Sequence, residues 1–180
     1  AIGELAAVIV DRQNAPAFAR ARRANVHAAF VDPHRFPNRA AFERHLIRLL
    51  EAADVELVCL AGFMRILSPV FVRRFRHRIL NIHPALLPAF PGAHAIRDAI
   101  AWGTKVTGVT VHLVDEQVDH GPIIWQEPLA IRPGETPAGL LARVHRLEHR
   151  LYPRVIQWVL DGRVRVRGRL VRITSPTGSL

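Results

Sequence analysis

Short apolar runs alternate with amphipathic segments along the first half of the chain, and this rhythm limits the folds that the chain can adopt. The runs are rich in apolar and β-branched residues, which predicts buried strands at 5–10, 26–30, 55–61 and 79–82. Residues 39–53 carry apolar side chains at helical spacing, which predicts a helix with one buried face. We therefore predict an α/β protein with an open, mostly parallel twisted sheet and helices on both faces.

The second half of the chain does not continue this alternation of strands and helices. Alternating and apolar runs predict two more strands, at 106–114 and 122–131, which the acidic turn 115–121 joins. Residues 163–173, interrupted by Gly168, predict a small hairpin whose alternating arginines form one solvated face.

Helix start and stop signals complete the outline. Capping residues, prolines and a terminal glycine predict helices at 68–75, at 94–102 and from Pro137 onward. Pro153 is expected to kink or restart the last helix. The expected organisation is one domain over residues 1–174, followed by a flexible tail over residues 175–180.

The net charge of +10 restricts the class of partner, because a surface so basic attracts phosphates and carboxylates. The arginines are scattered rather than grouped with aromatic residues, which favours an anionic metabolite over nucleic acid. The single cysteine, Cys59, cannot form an internal disulfide, and its apolar neighbours predict a small buried side chain. No apolar run reaches the roughly 20 residues that span a bilayer, and we expect a cytoplasmic protein without membrane contact.

The start of the sequence lacks one feature of phosphate-binding α/β proteins. Such sheets usually begin with a strand and a glycine-rich turn at a helix N-terminus. No such turn precedes the first predicted strand, and the only methionine is Met64. Two expectations stay open: an N-terminal unit has been lost, or the fold does without it.

The densest group of reactive side chains consists of Asn81, His83 and Asp119, each at or beyond the end of a predicted strand. Any one of them alone is more simply explained as a turn or loop residue. Together they supply an amide donor, a titratable imidazole and a carboxylate, which can stabilise an oxyanion and move protons near neutral pH. We therefore expect them to converge at the C-terminal edge of the sheet, with His112 facing the same pocket.

A second candidate is the string His145-Arg146-Leu147-Glu148-His149, which matches the H-x-x-E-H pattern of some zinc peptidases. Helical spacing would place both imidazoles on one face. Arg146 is an unfavourable neighbour for a dication and no third ligand is evident, so we expect no metal site here.

Residues 80–88, Leu-Asn-Ile-His-Pro-Ala-Leu-Leu-Pro, resemble a motif of the folate-dependent formyltransferases, and in particular of those that formylate glycinamide ribonucleotide in purine synthesis. Further segments resemble this family in the same order, at 61–67, 90–94, 108–112 and 118–124. The resemblance extends from about residue 7 to about residue 162. It implies a Rossmann-like formyltransferase fold that ends in a long helix and a small hairpin.

The resemblance also implies roles for individual residues. The catalytic set carries over to Asn81, His83 and Asp119. A site for the reduced folate is implied at Leu60, Arg65, Ile66, Leu67, Phe71, Val72, Ile79, Val114 and Glu116. A site for the amine substrate is implied at Met64, Pro84, His112 and Glu148. In that site Glu148 would bind the ribose, which explains the H-x-x-E-H string better than zinc does.

The implied reaction is attack by the amine of glycinamide ribonucleotide on the formyl carbon of 10-formyltetrahydrofolate, through a tetrahedral intermediate and without a metal. Asn81 would donate to the oxyanion. His83 would share that role or pass a proton, and Asp119 would raise the pKa of His83 and help to carry the proton to the folate nitrogen.

Alternatives within and outside the enzyme class stay open. Enzymes similar to methionyl-tRNA formyltransferase or formyltetrahydrofolate hydrolase share the catalytic motif, but each is expected to need a further domain beyond these 180 residues. A folate-binding homologue without activity is the non-enzyme alternative. The family also begins with a Gly-Ser-Asn type loop that binds the substrate phosphate, and no counterpart of that loop is found ahead of the first predicted strand, so weak binding of the nucleotide is expected.

Overall fold

The computed structural model describes residues 3–175. The strands are β1 (Val8–Val10), β2 (Ala28–Phe30), β3 (Val58–Leu60), β4 (Ile79–His83), β5 (Val106–Leu113), β6 (Ile123–Ala130), β7 (Val164–Arg167) and β8 (Leu170–Ile173). The helices are α1 (Pro16–Arg23), α2 (Arg39–Ala52), α3 (Pro69–Arg74), α4 (Ala95–Ala101) and α5 (Pro137–Leu160). The α/β class is confirmed. The predicted tail lies, from residue 176 on, outside the described residues.

The strands form a mixed arrangement rather than one mostly parallel sheet. β1 pairs in parallel with β2, and β3 pairs in parallel with β4. β5 then runs antiparallel to both β4 and β6, and β7 and β8 form a separate antiparallel hairpin. The connection between β5 and β6 is a loop without a helix, and such a connection joins antiparallel neighbours.

Local sequence signals account for several helix ends. The hydroxyl of Ser68 accepts a hydrogen bond from the main-chain N–H of Phe71 and so caps α3, as predicted. Gly103 follows α4 with a φ of +69°, the left-handed conformation that glycine adopts most readily. The short helix α1 was not predicted from the sequence, although Pro16 stands at its first turn.

Helix α5 continues through Pro153 and does not restart there. A proline inside a helix removes one main-chain hydrogen bond. The buried side chains of Leu151, Tyr152 and Val155 flank the proline and pack on the sheet. This burial holds both halves of the helix against the same surface.

Strand β4 lies at the centre of the core. Consecutive residues of a strand point to opposite faces, and Ile79 and Leu80 belong to different core clusters. The Leu80 cluster lies between the sheet and α5, and the Ile79 cluster lies between the sheet and helices α2 and α3. Helices therefore cover both faces of β4, as predicted.

Cys59 is exposed as a residue, so the prediction of a small buried side chain was wrong, although partial burial of the thiol raises its pKa from 9.0 to about 11. Its strand, β3, pairs only with β4 among residues 3–175, and β1 pairs only with β2. Ile9 of β1 and Val58 of β3 pack in the same core cluster although their strands are not hydrogen-bonded to each other. Cys59 is accessible because β3 is an edge strand in the described part of the chain.

None of the described helices combines the length and the apolar character needed to cross a bilayer.

Candidate active site

One face of strands β4 and β5 carries three of the candidate side chains. Asn81 and His83 are two residues apart on β4 and therefore point to the same side of the sheet. His112 on β5 is the direct cross-strand partner of Asn81, so its side chain lies on that side too. His83 and His112 are buried, with 4% and 1% of their surface exposed, and Asn81 is half-buried.

The fourth side chain, Asp119, comes from the loop between β5 and β6. Its Oδ1 atom is 3.4 Å from Nδ2 of Asn81, and its Oδ2 atom is 3.3 Å from Nδ1 of His83. The main-chain N–H of Gly92 donates to Oδ2 over 2.8 Å. The carboxylate therefore lies between the amide and the imidazole, and the three side chains meet as the sequence pattern predicted.

The group lies at the C-terminal end of β4, whose last residue is His83, as predicted, but Asp119 reaches it by a route that the sequence pattern did not predict. Because β5 runs antiparallel to β4, its last residue, Leu113, pairs with Leu80 near the start of β4. The next residue, Val114, donates its main-chain N–H to the carbonyl of Ile79. The loop thus begins at the amino end of β4 and returns along the sheet face to bring Asp119 beside His83.

The surroundings of Asp119 keep its carboxylate ionised. The contact with the His112 side chain contributes most to a lowering of its pKa from 3.8 to about 2, the N–H of Gly92 and the nearby His83 add to it, and burial opposes it. Asp119 has a φ of +50°, a left-handed conformation that costs free energy in a non-glycine residue. The loop therefore holds a negative charge near neutral pH in a fixed position.

The imidazole of His83 has an acceptor at each nitrogen. Nε2 is 2.8 Å from the carbonyl oxygen of Phe90 and Nδ1 faces Asp119, so a ring protonated at both nitrogens would donate at both. Burial nevertheless lowers the pKa of His83 from 6.5, although the charge of Asp119 and the Phe90 carbonyl raise it. The net effect is opposite to the rise that we predicted from Asp119 alone. The neutral ring can therefore accept a proton, and the protonated ring would be stabilised by the Asp119 carboxylate and the Phe90 carbonyl.

The amide of Asn81 is oriented by two neighbours. Nδ1 of His112 is 2.8 Å from the carbonyl of Leu113 and must donate to it, which leaves Nε2 as an acceptor in the neutral ring. That Nε2 atom is 3.2 Å from Nδ2 of Asn81, and the other amide hydrogen faces Asp119 at 3.4 Å. The buried His112 therefore contacts both Asn81 and, over 3.6 Å, Oδ1 of Asp119. Its predicted contact with the substrate stays a prediction.

Residues 2–156 match the family described as formyl transferase. This chain belongs to the formyl transferase family. It is 40% identical over 164 residues to phosphoribosylglycinamide formyltransferase of Escherichia coli, a match that covers 91% of this chain and 77% of that protein. It is 42% identical over 163 residues to the trifunctional purine biosynthetic protein adenosine-3 of Gallus gallus, of which it spans only 16%.

Solved structures of the family show the same fold. The crystal structure of glycinamide ribonucleotide transformylase 1 from Symbiobacterium toebii matches with a TM-score of 0.92 and 47% identity, covering 94% of this chain and 80% of that one. A formyltetrahydrofolate deformylase from Pseudomonas syringae matches with a TM-score of 0.87 and 26% identity, covering 96% of this chain and 57% of that one.

The residues that the formyl transferase resemblance assigns to folate lie around β3, α3 and the segment between them. Several of them are buried in the core cluster of Ile79 and can form only the floor of a site, namely Leu67, Phe71, Val72 and Ile79. Leu60 and Val114 are half-buried, whereas Ile66 is exposed. Arg65 forms an ion pair with Asp11, and Glu116 forms one with Arg73. Their contacts with a folate stay predictions.

Three of the four residues assigned to the amine substrate line a cleft of about 1020 Å³, and His112 is not among them. The three are Met64, Pro84, which directly follows His83 in the sequence, and Glu148 of α5. Burial raises the pKa of Glu148 from 4.5 to about 7. Near neutral pH this carboxyl can therefore either donate a hydrogen bond or accept one.

The two histidines of the H-x-x-E-H string share one face of α5, as their spacing predicted. Their rings stack with centroids 6.5 Å apart, and Nε2 of His145 is 4.0 Å from Oε2 of Glu148. Among residues 3–175, no group of three or more His, Cys, Asp or Glu side chains is arranged to hold a metal ion. Both histidines line the cleft, and so contribute polar surface around Glu148.

Two kinds of site residue were missed from the sequence. The main-chain groups of Phe90 and Gly92 bind His83 and Asp119, and the only signal for them was the family-like segment 90–94. Three basic side chains also line the cleft: Arg20 of α1, and His94 and Arg97 at the start of α4. Arg20 is distant in the sequence from the other two, and the net positive charge was the only signal for a basic pocket.

Proposed function

We propose that this formyl transferase chain moves the formyl group of 10-formyltetrahydrofolate to the amine of glycinamide ribonucleotide. The observation that carries the proposal is the position of the Asp119 carboxylate, within 3.4 Å of the Asn81 amide and 3.3 Å of the His83 imidazole. The names of relatives such as the Escherichia coli enzyme support the choice of substrates. We further propose that residues 1–174 form one domain, since both core clusters meet at β4.

The proposed reaction begins when the amine attacks the formyl carbon and the carbonyl electrons move onto oxygen. The attacking nitrogen becomes positively charged and must lose a proton before the intermediate collapses. His83 is the acceptor, because burial keeps its ring neutral and Asp119 stabilises the added positive charge. The carbon–nitrogen bond to the folate then breaks, and the proton passes from His83 to the folate nitrogen, directly or through water.

Asn81 is the proposed donor to the oxyanion. Its hydrogen bond to Asp119 is long, at 3.4 Å, while His112 holds the other amide hydrogen at 3.2 Å. The hydrogen that faces Asp119 would be shared with the developing negative charge, while His112 keeps the planar amide in place. The steps require no metal ion, because the amide and the protonated imidazole provide the compensating charge.

The two substrates are proposed to approach from opposite sides of this group. The reduced folate would lie along Leu60, Ile66 and Val114, with its pterin at the main chain of the Asp119 loop. The nucleotide would occupy the 1020 Å³ cleft, where Glu148 would bind the ribose hydroxyls. The basic side chains around the cleft suit a phosphorylated substrate.

Steady-state kinetics of purified variants test the proposal. Asn81→Ala should lower kcat by about a hundred- to a thousandfold, the usual effect of removing an oxyanion donor, and His83→Ala should lower it comparably. His27→Ala is a matched control, because this imidazole is exposed and distant in sequence from the cluster. Catalytic variants that fold normally and keep kcat within about threefold of the unmodified chain would overturn the assignment.

A further inference from the structure

The C-terminal hairpin contacts the loop that carries Asp119. Arg169 stands at the tight turn between β7 and β8, beside Gly168. Its guanidinium donates to the carbonyl oxygen of His120 over 2.7 Å. The second terminal nitrogen lies 3.2 Å from Nε2 of the His120 ring. One side chain therefore contacts both the main chain and the side chain of the residue directly after Asp119.

The ring of His120 extends this contact into the loop. Its Nδ1 atom is 2.7 Å from Oδ2 of Asp115 and donates to that carboxylate, which leaves Nε2 free to accept from Arg169. Oδ1 of Asp115 accepts the main-chain N–H of Gln117. Arg169, His120 and Asp115 thus form a continuous hydrogen-bonded chain, which we term the loop clamp.

Apart from the loop clamp, the outer side of the loop has the exposed ion pair between Glu116 and Arg73. Residues 116–118 are exposed, and Asp119 is kept in a left-handed conformation. Such a conformation persists only where surrounding contacts impose it. The Asp119 side chain anchors the loop on the inner side, through Gly92 and the catalytic group. The loop clamp supplies the anchor on the outer side, one residue away.

We propose that Arg169 is a positioning residue for formyl transfer, which acts through His120 to hold Asp119 and the main chain of residues 116–118 in place for the folate. This inference rests on the proposed function, since it assigns those groups to proton transfer and pterin binding. Arg169 touches neither the reacting atoms nor the catalytic side chains, and its effect is transmitted through the loop.

The neighbouring residue Arg167 offers a matched control. It lies on the same hairpin, and its exposed side chain makes no hydrogen bond or ion pair among residues 3–175. Removing it changes the net charge as much as removing Arg169 does. A difference between the two variants therefore reports the loop clamp rather than general electrostatic attraction of an anionic substrate.

The test compares Arg169→Ala, Arg169→Lys and Arg167→Ala in steady-state transfer assays and in hydrogen exchange of the main-chain amides of residues 116–120. Arg169→Ala should raise KM for 10-formyltetrahydrofolate and lower kcat, each by about three- to tenfold, because charged hydrogen bonds at an exposed site are lost. KM for the nucleotide should stay nearly unchanged, and exchange in the loop should become faster. Arg169→Lys should recover part of the loss, since an ammonium can donate to the His120 carbonyl but cannot reach both acceptors as a planar fork does.

Equal kinetics and equal exchange for Arg169→Ala and Arg167→Ala would overturn the positioning role. An unmodified chain without transfer activity would instead overturn the proposed function, and the hydrogen-exchange result would still decide whether Arg169 orders the loop. A uniform loss of kcat in both alanine variants would also contradict the inference, because it would indicate an effect of net charge.

Discussion

Glu148 provides a quantitative test of the cleft, through the dependence of stability on pH. Its side chain is 17% exposed on α5, and burial raises its pKa from 4.5 to about 7. The native protein therefore binds this proton more tightly than the unfolded chain does. The associated stability is complete below about pH 4.5, declines as the pH rises, and is lost above about pH 7.

The size of the effect follows from the size of the change in pKa. One pKa unit corresponds to about 1.4 kcal/mol, so a rise from 4.5 to about 7 corresponds to about 3 kcal/mol. Solvent reaches part of this side chain, and screening reduces the expected value to about 2 kcal/mol. Glu148→Gln removes the titration but keeps the shape of the side chain. The variant should therefore match the unmodified chain near pH 4.5 and exceed it in stability by about 2 kcal/mol at pH 8.5.

Urea unfolding followed by the fluorescence of the three tryptophans measures this difference. Glu56→Gln serves as the control, because Glu56 is exposed and the substitution makes the same change in net charge. The same glutamine substitution should raise KM for the nucleotide, since it removes the proposed ribose ligand. A stability difference between Glu148→Gln and the unmodified chain that does not change from pH 4.5 to 8.5 would refute the reasoning.

Three further substitutions probe the loop, the attachment of α5 and the carboxylate. A Cβ atom at Gly121 would lie 1.8 Å from the carbonyl oxygen of Leu113, so Gly121→Ala must displace the loop. Steady-state assays should show at least a tenfold loss of formyl transfer. Near-normal rates would argue against a fixed loop. The hydroxyl of Tyr152 lies 2.9 and 3.0 Å from main-chain carbonyls of β3 and β4, so Tyr152→Phe should lower the free energy of unfolding by about 1 kcal/mol, and an unchanged urea midpoint would contradict this. The pKa of Asp119 is lowered to about 2, so the stability it contributes is present above pH 4 and lost towards pH 2. Asp119→Asn should therefore be less stable than the unmodified chain at pH 7 but not at pH 2. If the variant and the unmodified chain were equally stable at both pH values, this prediction would be contradicted.

The elements that the sequence predicted best are those with local causes. The start of α3 depends on Ser68 and Pro69, whose capping and φ preferences act within one helical turn. The hairpin turn at Gly168 depends on a left-handed conformation that suits glycine, with a φ of +61°. Such signals involve neighbours in the chain, and a single sequence contains them in full.

The features that the sequence did not predict depend on contacts between distant residues. The direction of β5 is set by its pairing with β4, and the pattern of an apolar run such as 106–114 does not show whether the strand is parallel or antiparallel to its neighbour. The exposure of Cys59 depends on which strands flank β3. Within the site, Asn81, His83 and Asp119 could be found by residue type, whereas the carbonyl of Phe90 has no signature of its own.

The most direct test of the proposed reaction follows the fate of the formyl carbon. The purified chain would be incubated with 10-formyltetrahydrofolate labelled with carbon-13 in the formyl group, together with glycinamide ribonucleotide, and the products followed by NMR. Our account predicts that the label appears in the N-formyl nucleotide, and that Asn81→Ala slows this appearance. Label that appears mainly in free formate would indicate a deformylase, and label that stays on the folate while the folate binds would indicate a binding protein; either result would contradict the account.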